Sequence, residues 1–333
     1  MTQQELNKEH PYSALTPDVV IDSVESTGML SDARIFPLNS YENRVYQVGI
    51  EESLPVIAKF YRPFRWSDAQ ILEEHAFTYE LADLEIPVVA PIANETGNSL
   101  FHYNGFAFAL YPRKGGYAPE LDDLDNLLIL GRFIGRIHAV GAKTIFTTRP
   151  TLDIESFGHQ SVAFLLENDF IPMELFTAYS TLARDLLEKV VRRFASVGKT
   201  KKIRLHGDCH IGNVLWRDNA PHFVDFDDAR NGPAIQDLWM LLCGDRESQT
   251  AQISEIVEGY NEFFDFNPIE LQLIEPLRTL RIMNYSAWIA RRWTDPAFPH
   301  NFPWFNTQRY WSDHILQLRE QFSAMDEEPL RLF

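Results

Sequence analysis

The stretch 205–230, LHGDCHIGNVLWRDNAPHFVDFDDAR, constrains the chain more than any other, because it sets three oxygen-bearing side chains at spacings that phosphoryl transfer requires. His206-Gly207-Asp208 is followed by Asn213 five residues after the aspartate, the spacing H-x-D-x-x-x-x-N, and Asp225-Phe226-Asp227 stands where a kinase carries D-F-G. The chemistry explains the residue types. A carboxylate must accept a hydrogen bond from an attacking hydroxyl, a role for Asp208, while an amide oxygen and a second carboxylate are hard donors for Mg2+, roles for Asn213 and Asp225. Asp208 and Asp225 are therefore the catalytic candidates, and Asn213 and Asp225 the metal ligands. Asn213 to Trp216 and Pro221 to Phe226 read as short apolar strands joined by Arg217-Asp218-Asn219-Ala220, a hairpin that would bring Asn213 and Asp225 to one end.

Two other readings compete. Aspartate and asparagine in loops are commonly turn formers, which accounts for any one of these residues but not for three at matched spacing. His206, Asp208 and His210 alternate along an extended segment and so share a face, as metal ligands of a hydrolase would, but the sequence offers no second ligand cluster.

A chain of 333 residues with 45% apolar and 13% aromatic residues can bury a large core, and kinase-sized enzymes of this length have two lobes. No apolar run approaches the ~20 residues of a membrane span, and MTQQELNKEHPYS lacks the basic and apolar regions of a signal peptide, so a cytoplasmic protein without a membrane partner is expected. Cys209 and Cys243 are too few for a disulfide framework and read as reduced thiols. The formal charge of −17 argues against nucleic acid as a partner. An anionic nucleotide must then find positive charge at particular residues.

Taken in order, residues 1 to about 15 read as polar and loose, and a helix from Thr16 to about Thr27 starts at Pro17. Ala33 to Leu38, Val45 to Ile50 and Pro55 to Tyr61 read as strands. Between the first two, Asn39-Ser40-Tyr41-Glu42-Asn43 lacks glycine, so phosphate contact there would rest on side chains such as Ser40 and Asn43; an ordinary hairpin turn fits the sequence equally well. Val56-Ile57-Ala58-Lys59 has the V-A-I-K pattern whose lysine reaches nucleotide phosphates, and the helix Trp66 to about Leu84 supplies Glu73 and Glu74 as candidate anionic partners. Val88 to Ile92 and two strands flanking Asn104-Gly105 would complete an antiparallel sheet. The change at Pro112-Arg113-Lys114-Gly115-Gly116 marks a hinge, with backbone near Leu110 placed to meet adenine. Beyond it the pattern is helical, over Leu121 to Val140 with His138 as a packed core residue, Pro172 to Ser196, Gly232 to Leu242, Gln252 to Phe264 and Pro268 to Arg292. Trp288, Trp293, Trp304 and Trp311 lie among further aromatics near the C-terminus, as core or as the lining of a substrate site.

The runs HGDCHIGN and VDFDDA resemble the aminoglycoside-phosphotransferase and choline-kinase group, with Gly207 in place of the arginine of HRD and Asp227 in place of the glycine of DFG. PLNSYENRVYQV, KFYRPFRW, QILEEH, LHGDCH and NGPAIQDLWMLL narrow the likeness to the bacterial stress-response kinase A family, from about Asp22 to about Pro329. This resemblance implies an α+β, two-lobed protein-kinase-like fold. Residues 1–111 would form a small antiparallel sheet with one C-type helix, residues 112–333 a larger helical lobe, and the nucleotide would lie between them. It further implies an ATP- and Mg2+-dependent serine/threonine protein kinase of the stress response, nucleotide contact at Ser40 and Lys59, Glu74 as the partner of Lys59, and Asp237 as a brace of the catalytic loop. The expected partners are ATP and a protein hydroxyl, including the kinase's own by autophosphorylation, acting from a monomer. A small-molecule kinase and a non-catalytic nucleotide-binding regulator are the alternatives.

Overall fold

A computed structural model describes residues 10–332, and the expectation of a loose N-terminus falls partly outside it, at residues 1–9. The elements run α1 (Pro17–Glu25), β1 (Ser31–Leu38), β2 (Arg44–Ile50), β3 (Val56–Phe60), α2 (Asp68–Asp83), β4 (Phe101–Tyr103), β5 (Phe106–Pro112), α3 (Leu124–Gly141), α4 (Gln160–Glu167), α5 (Met173–Val197), β6 (Ile203–Leu205), β7 (Val214–Arg217) and β8 (Ala220–Phe223). They continue through β9 (Arg230–Gly232), α6 (Ile235–Leu238), α7 (Arg246–Asn261), α8 (Ile274–Arg291), α9 (Ala297–Asn301) and α10 (Gln308–Ala324). None of the described helices is long and apolar enough to cross a membrane.

The chain divides into two compact units. Of the described residues, the first comprises those from 10 up to Pro119, Thr147–Arg149 and Gly212–Asp227. Its sheet has the order β1-β2-β3-β5-β4, antiparallel throughout, with Lys59 opposite Val45 on one side and Ala109 on the other. The β4–β5 turn is set by Asn104 and Gly105, both left-handed at φ 47° and 82°, which is what a two-residue hairpin matching strand twist needs. Val20, Val24, Phe60, Phe106 and Phe108 pack under one face. Tyr12 joins them, stacking on Phe106 and donating its hydroxyl to the Glu42 and Phe60 carbonyls, so residues 10–15 are not loose. An aromatic side chain in a polar stretch gains more on an open apolar sheet face than in water.

Val88 to Ile92 does not form a sheet strand. Proline at 87 and 91 limits its ladder, and Val88 makes only an isolated parallel bridge to Phe223 of β8. The chain also does not leave the first unit where β5 ends: Tyr117 exchanges backbone bonds with Trp216 (3.2 and 2.7 Å), which fastens the β7–β8 hairpin to this unit rather than beyond a cut at residue 111. α2 starts in a capping box. The Ser67 side chain receives Gln70 N and the Gln70 side chain receives Ser67 N, satisfying two donors that a helix start leaves open.

The second unit comprises Glu120–Phe146, Pro150–Ile211 and the residues from Asp228 onward. α3 lies close against α7. A Cβ added at Gly131 would stand 2.0 Å from the Ile256 carbonyl oxygen, so only glycine permits that approach. The two-strand pair β6–β9 then presents the loop after Leu205. Most of the C-terminal aromatic cluster is core, since Phe298, Phe305 and Trp311 are fully buried, while Trp304 is exposed. α10, which sequence reasoning missed, closes this core with Trp311, Ile315 and Leu318.

Candidate active site

In the first unit the β7–β8 hairpin turns through Asp218 and Asn219, both left-handed, and its open end is fixed by Val224 N donating to the Asn213 carbonyl at 3.0 Å. Asn213 and Asp225 therefore flank the same hairpin end. Asp225 itself has φ 60°, a conformation rare for a residue with a Cβ, and its side chain remains 51% exposed. Lys59 Nζ lies 2.7 Å from Asp225 Oδ1 and 3.5 Å from Asp227 Oδ1. Burial alone would depress this lysine, but the two carboxylates hold its pKa well above the ordinary value, so it is a firmly charged ammonium.

Asp227 is the hub of the turn. Its carboxylate also meets Arg65, and its carbonyl accepts from Arg149. Burial would raise its pKa, yet Arg65, Lys59 and Arg149 hold it well below the ordinary carboxylate range. Asn43, named with Ser40 as a candidate phosphate donor, is buried instead; its Oδ1 accepts from Arg62 N at 3.1 Å and its side chain bonds Asp227. Ser40 lies half-buried in the β1–β2 loop.

The two glutamates of α2 have different surroundings. Glu73 is occupied: its carboxylate accepts from the backbone N–H groups of Thr147, Thr148 and Arg149 and from both threonine hydroxyls. Partial burial opposes ionisation there, but those bonds outweigh it and lower its pKa to about 2. Glu74 is buried, lies 3.9 Å from Arg149 in an ion pair, and also feels the charge of Lys59. Lys59 is satisfied by the aspartates, and burial pushes the Glu74 carboxyl up to about 7 against the pull of Lys59 and Arg149. Leu110 lies inside β5, two residues before its end, and its carbonyl accepts from Ile92 N at 2.6 Å.

In the second unit Asp237 clamps the catalytic loop. Its Oδ2 accepts from His206 N at 2.7 Å and its Oδ1 from Gly207 N at 2.8 Å. Oδ2 also faces His138 Nε2 at 3.1 Å, while His138 Nδ1 meets the Tyr260 hydroxyl at 2.9 Å. His138 is thus a satisfied core histidine whose neighbours fix its ring. Gly207 has φ 86°, and a Cβ there would stand 2.2 Å from the Asp228 carbonyl, which explains why glycine replaces the arginine of HRD.

The loop presents Asp208, with Oδ1 2.6 Å from Arg281 Nη1 and Oδ2 3.4 Å from His210 Nε2. Burial would raise this carboxyl, but His210 and Arg281 hold its pKa well below the usual range. Arg281 carries no signal in the sequence motif and comes from α8. The Cys209 thiol is buried, and burial together with the Asp237 and Asp208 charges pushes its pKa well up, so it is an inert packed group rather than a reactive one.

The donor set at the hairpin end, one carboxylate and one amide oxygen, fits Mg2+, which takes few protein oxygens and completes its shell with water and substrate phosphates. The partial exposure of Asp225 leaves room for such a shell. No group of three or more His, Cys, Asp or Glu among the described residues offers a softer metal site.

The five-stranded sheet with its buried lysine, the Asn213–Asp225 hairpin and the clamped His206-Gly207-Asp208 loop define a class, the phosphotransferases of protein-kinase-like fold, and the pattern of the phosphotransferase enzyme family matches residues 34–271. Within that class the chain belongs to the stress response kinase A family, for it is 44% identical over 326 residues to stress response kinase A of Escherichia coli strain K12, covering 98% of each chain. It is also 44% identical over 321 residues to the serine/threonine protein kinase RdoA of Salmonella typhimurium strain LT2, covering 96% of this chain and 97% of that one. Among solved structures, the amicoumacin kinase hAmiN in complex with AMP-PNP, Ca2+ and Ami aligns with a TM-score of 0.72 over 100% of this chain and 98% of that one, at 18% identity. That likeness shows the fold.

Proposed function

We propose that this phosphotransferase is an ATP- and Mg2+-dependent kinase of serine and threonine hydroxyls in proteins. The chain-long identity to the Salmonella typhimurium protein, whose name specifies serine and threonine, carries the choice of acceptor. The 18% likeness to an amicoumacin kinase bears on architecture only.

The roles follow from the chemistry of each group. Lys59, kept charged by Asp225 and Asp227, pairs with nucleotide phosphates when they replace those carboxylates. Asn213 and Asp225 would hold Mg2+, which when bound neutralises charge on the phosphates. Asp208 orients the attacking hydroxyl by accepting its hydrogen bond. Its depressed pKa makes it a weak base, which suits a transfer in which the nucleophile carries little charge until late. Glu74 acts through Arg149 on the metal-binding turn, and Ser40 is the nucleotide contact from the β1–β2 loop.

Incubation with γ-labelled ATP, Mg2+ and a panel of acceptor proteins, beside a panel of antibiotics and amino alcohols, tests this reading. Phosphoserine or phosphothreonine in acid hydrolysates is the expected result. Rapid labelling of one small molecule with no labelled protein would overturn it.

A further inference from the structure

Arg281 stands beside the reacting carboxylate, and no motif accounts for it. It projects from the middle of α8, 73 residues from Asp208 in sequence, and places Nη1 2.6 Å from Asp208 Oδ1. Among the described residues Asp208 is its one polar partner, and its side chain is 43% exposed. A guanidinium has five N–H donors in a fixed fork, so one contact leaves further donors beside the Asp208 carboxylate. The other Asp208 oxygen faces His210, so both sides of this carboxylate carry nitrogen. One turn further along α8, Tyr285 is exposed and stacks on Trp288 with centroids 5.7 Å apart, continuing the surface from Arg281 with aromatic faces.

We propose that Arg281 is a specificity-determining residue that forms an anion subsite beside Asp208, so that the preferred acceptor is a serine or threonine flanked by acidic side chains. This rests on the kinase reading above and adds the substrate class. One nitrogen of Arg281 holds the Asp208 carboxylate while the remaining donors take a carboxylate of the acceptor. A lysine or amine at the same place would meet like charge. Cationic acceptors are thus disfavoured by repulsion as well as by the missing contact.

The test uses two serine peptides identical except for Asp/Glu or Lys flanks, assayed for kcat/KM with the wild-type protein, Arg281→Lys and Arg281→Glu. Wild type is expected to favour the acidic peptide by about fivefold or more, the upper scale of a partly exposed ion pair. Arg281→Lys should keep the preference and Arg281→Glu reverse it. Added salt should raise the KM for the acidic peptide, a readout available even if Arg281→Glu folds poorly. Equal rates for both peptides in wild type, a preference for the lysine peptide, or a ratio unchanged by Arg281→Glu would overturn the proposal while leaving the kinase reading intact. Labelling of neither peptide by a wild-type preparation that phosphorylates a small molecule would instead remove the kinase reading and this proposal with it.

Discussion

Replacing Asp237 with asparagine isolates what the clamp on the catalytic loop contributes, because it removes one acceptor while preserving shape. The carboxylate receives three groups: His206 N and His138 Nε2 at Oδ2, and Gly207 N at Oδ1, all buried. An asparagine amide can match the Oδ2 side with its oxygen, but its NH2 then faces the Gly207 N–H, donor against donor. The opposite flip leaves His206 N and His138 unmatched. The cheaper arrangement still leaves one buried N–H unpaired, at about 1–3 kcal/mol, and weakens the charge-assisted bonds that remain, so about 2–3 kcal/mol is expected. Strain should concentrate in the loop, because Gly207 has no slack against the Asp228 carbonyl. The assay pairs thermal unfolding with turnover in Asp237→Asn and wild type. A lower melting temperature together with a fall in kcat, at near-unchanged ATP affinity, is expected. A variant with wild-type kcat and stability would refute the claim that Asp237 positions the loop.

Asp225→Ala should weaken Mg2+-dependent nucleotide binding, since it removes the carboxylate proposed as a ligand; equal ATP-Mg affinity in calorimetry would contradict the assignment. Removing Arg281 should let the Asp208 pKa rise. With the ionised form as the proposed active one, the acid limb of turnover should move to higher pH in Arg281→Gln, and an unmoved limb would separate the two groups. Glu73, lowered from an ordinary 4.5 to about 2, contributes stability that is present above about pH 4.5 and lost as pH falls through about 2; the stability gap between wild type and Glu73→Gln, read by denaturant titration, should therefore narrow in acid. A thiol reagent should leave the native enzyme active, because Cys209 is buried with a raised pKa, and rapid inactivation abolished by Cys209→Ser would show otherwise.

What the sequence made legible follows from the range of the interactions concerned. His206, Asp208, Asn213 and Asp225 lie within 20 residues, so spacing alone proposed them, and the Asn104-Gly105 hairpin was readable because its turn chemistry is local. The partner of Lys59 was not. It depends on the left-handed backbone of Asp225, which aims that carboxylate at the lysine from 166 residues away. Glu73 and Glu74 looked interchangeable on one helix until the 147–149 segment, invisible as a motif, claimed Glu73 with three backbone donors. The surroundings of Leu110 are likewise set by tertiary contact, because the strand continues to Pro112 and Ile92 N bonds the Leu110 carbonyl. Arg281 reaches Asp208 through helix packing that periodicity predicts only as a helix.

The central claim, that Asp208 serves the transfer step and not nucleotide binding, is tested most directly by one comparison of Asp208→Ala with wild type, measuring ATP-Mg affinity and single-turnover transfer of labelled phosphate to protein hydroxyls. The account predicts affinity within about twofold of wild type and transfer slower by ~10²-fold or more, the scale of a lost positioned base. Transfer at the wild-type rate in that variant would contradict it.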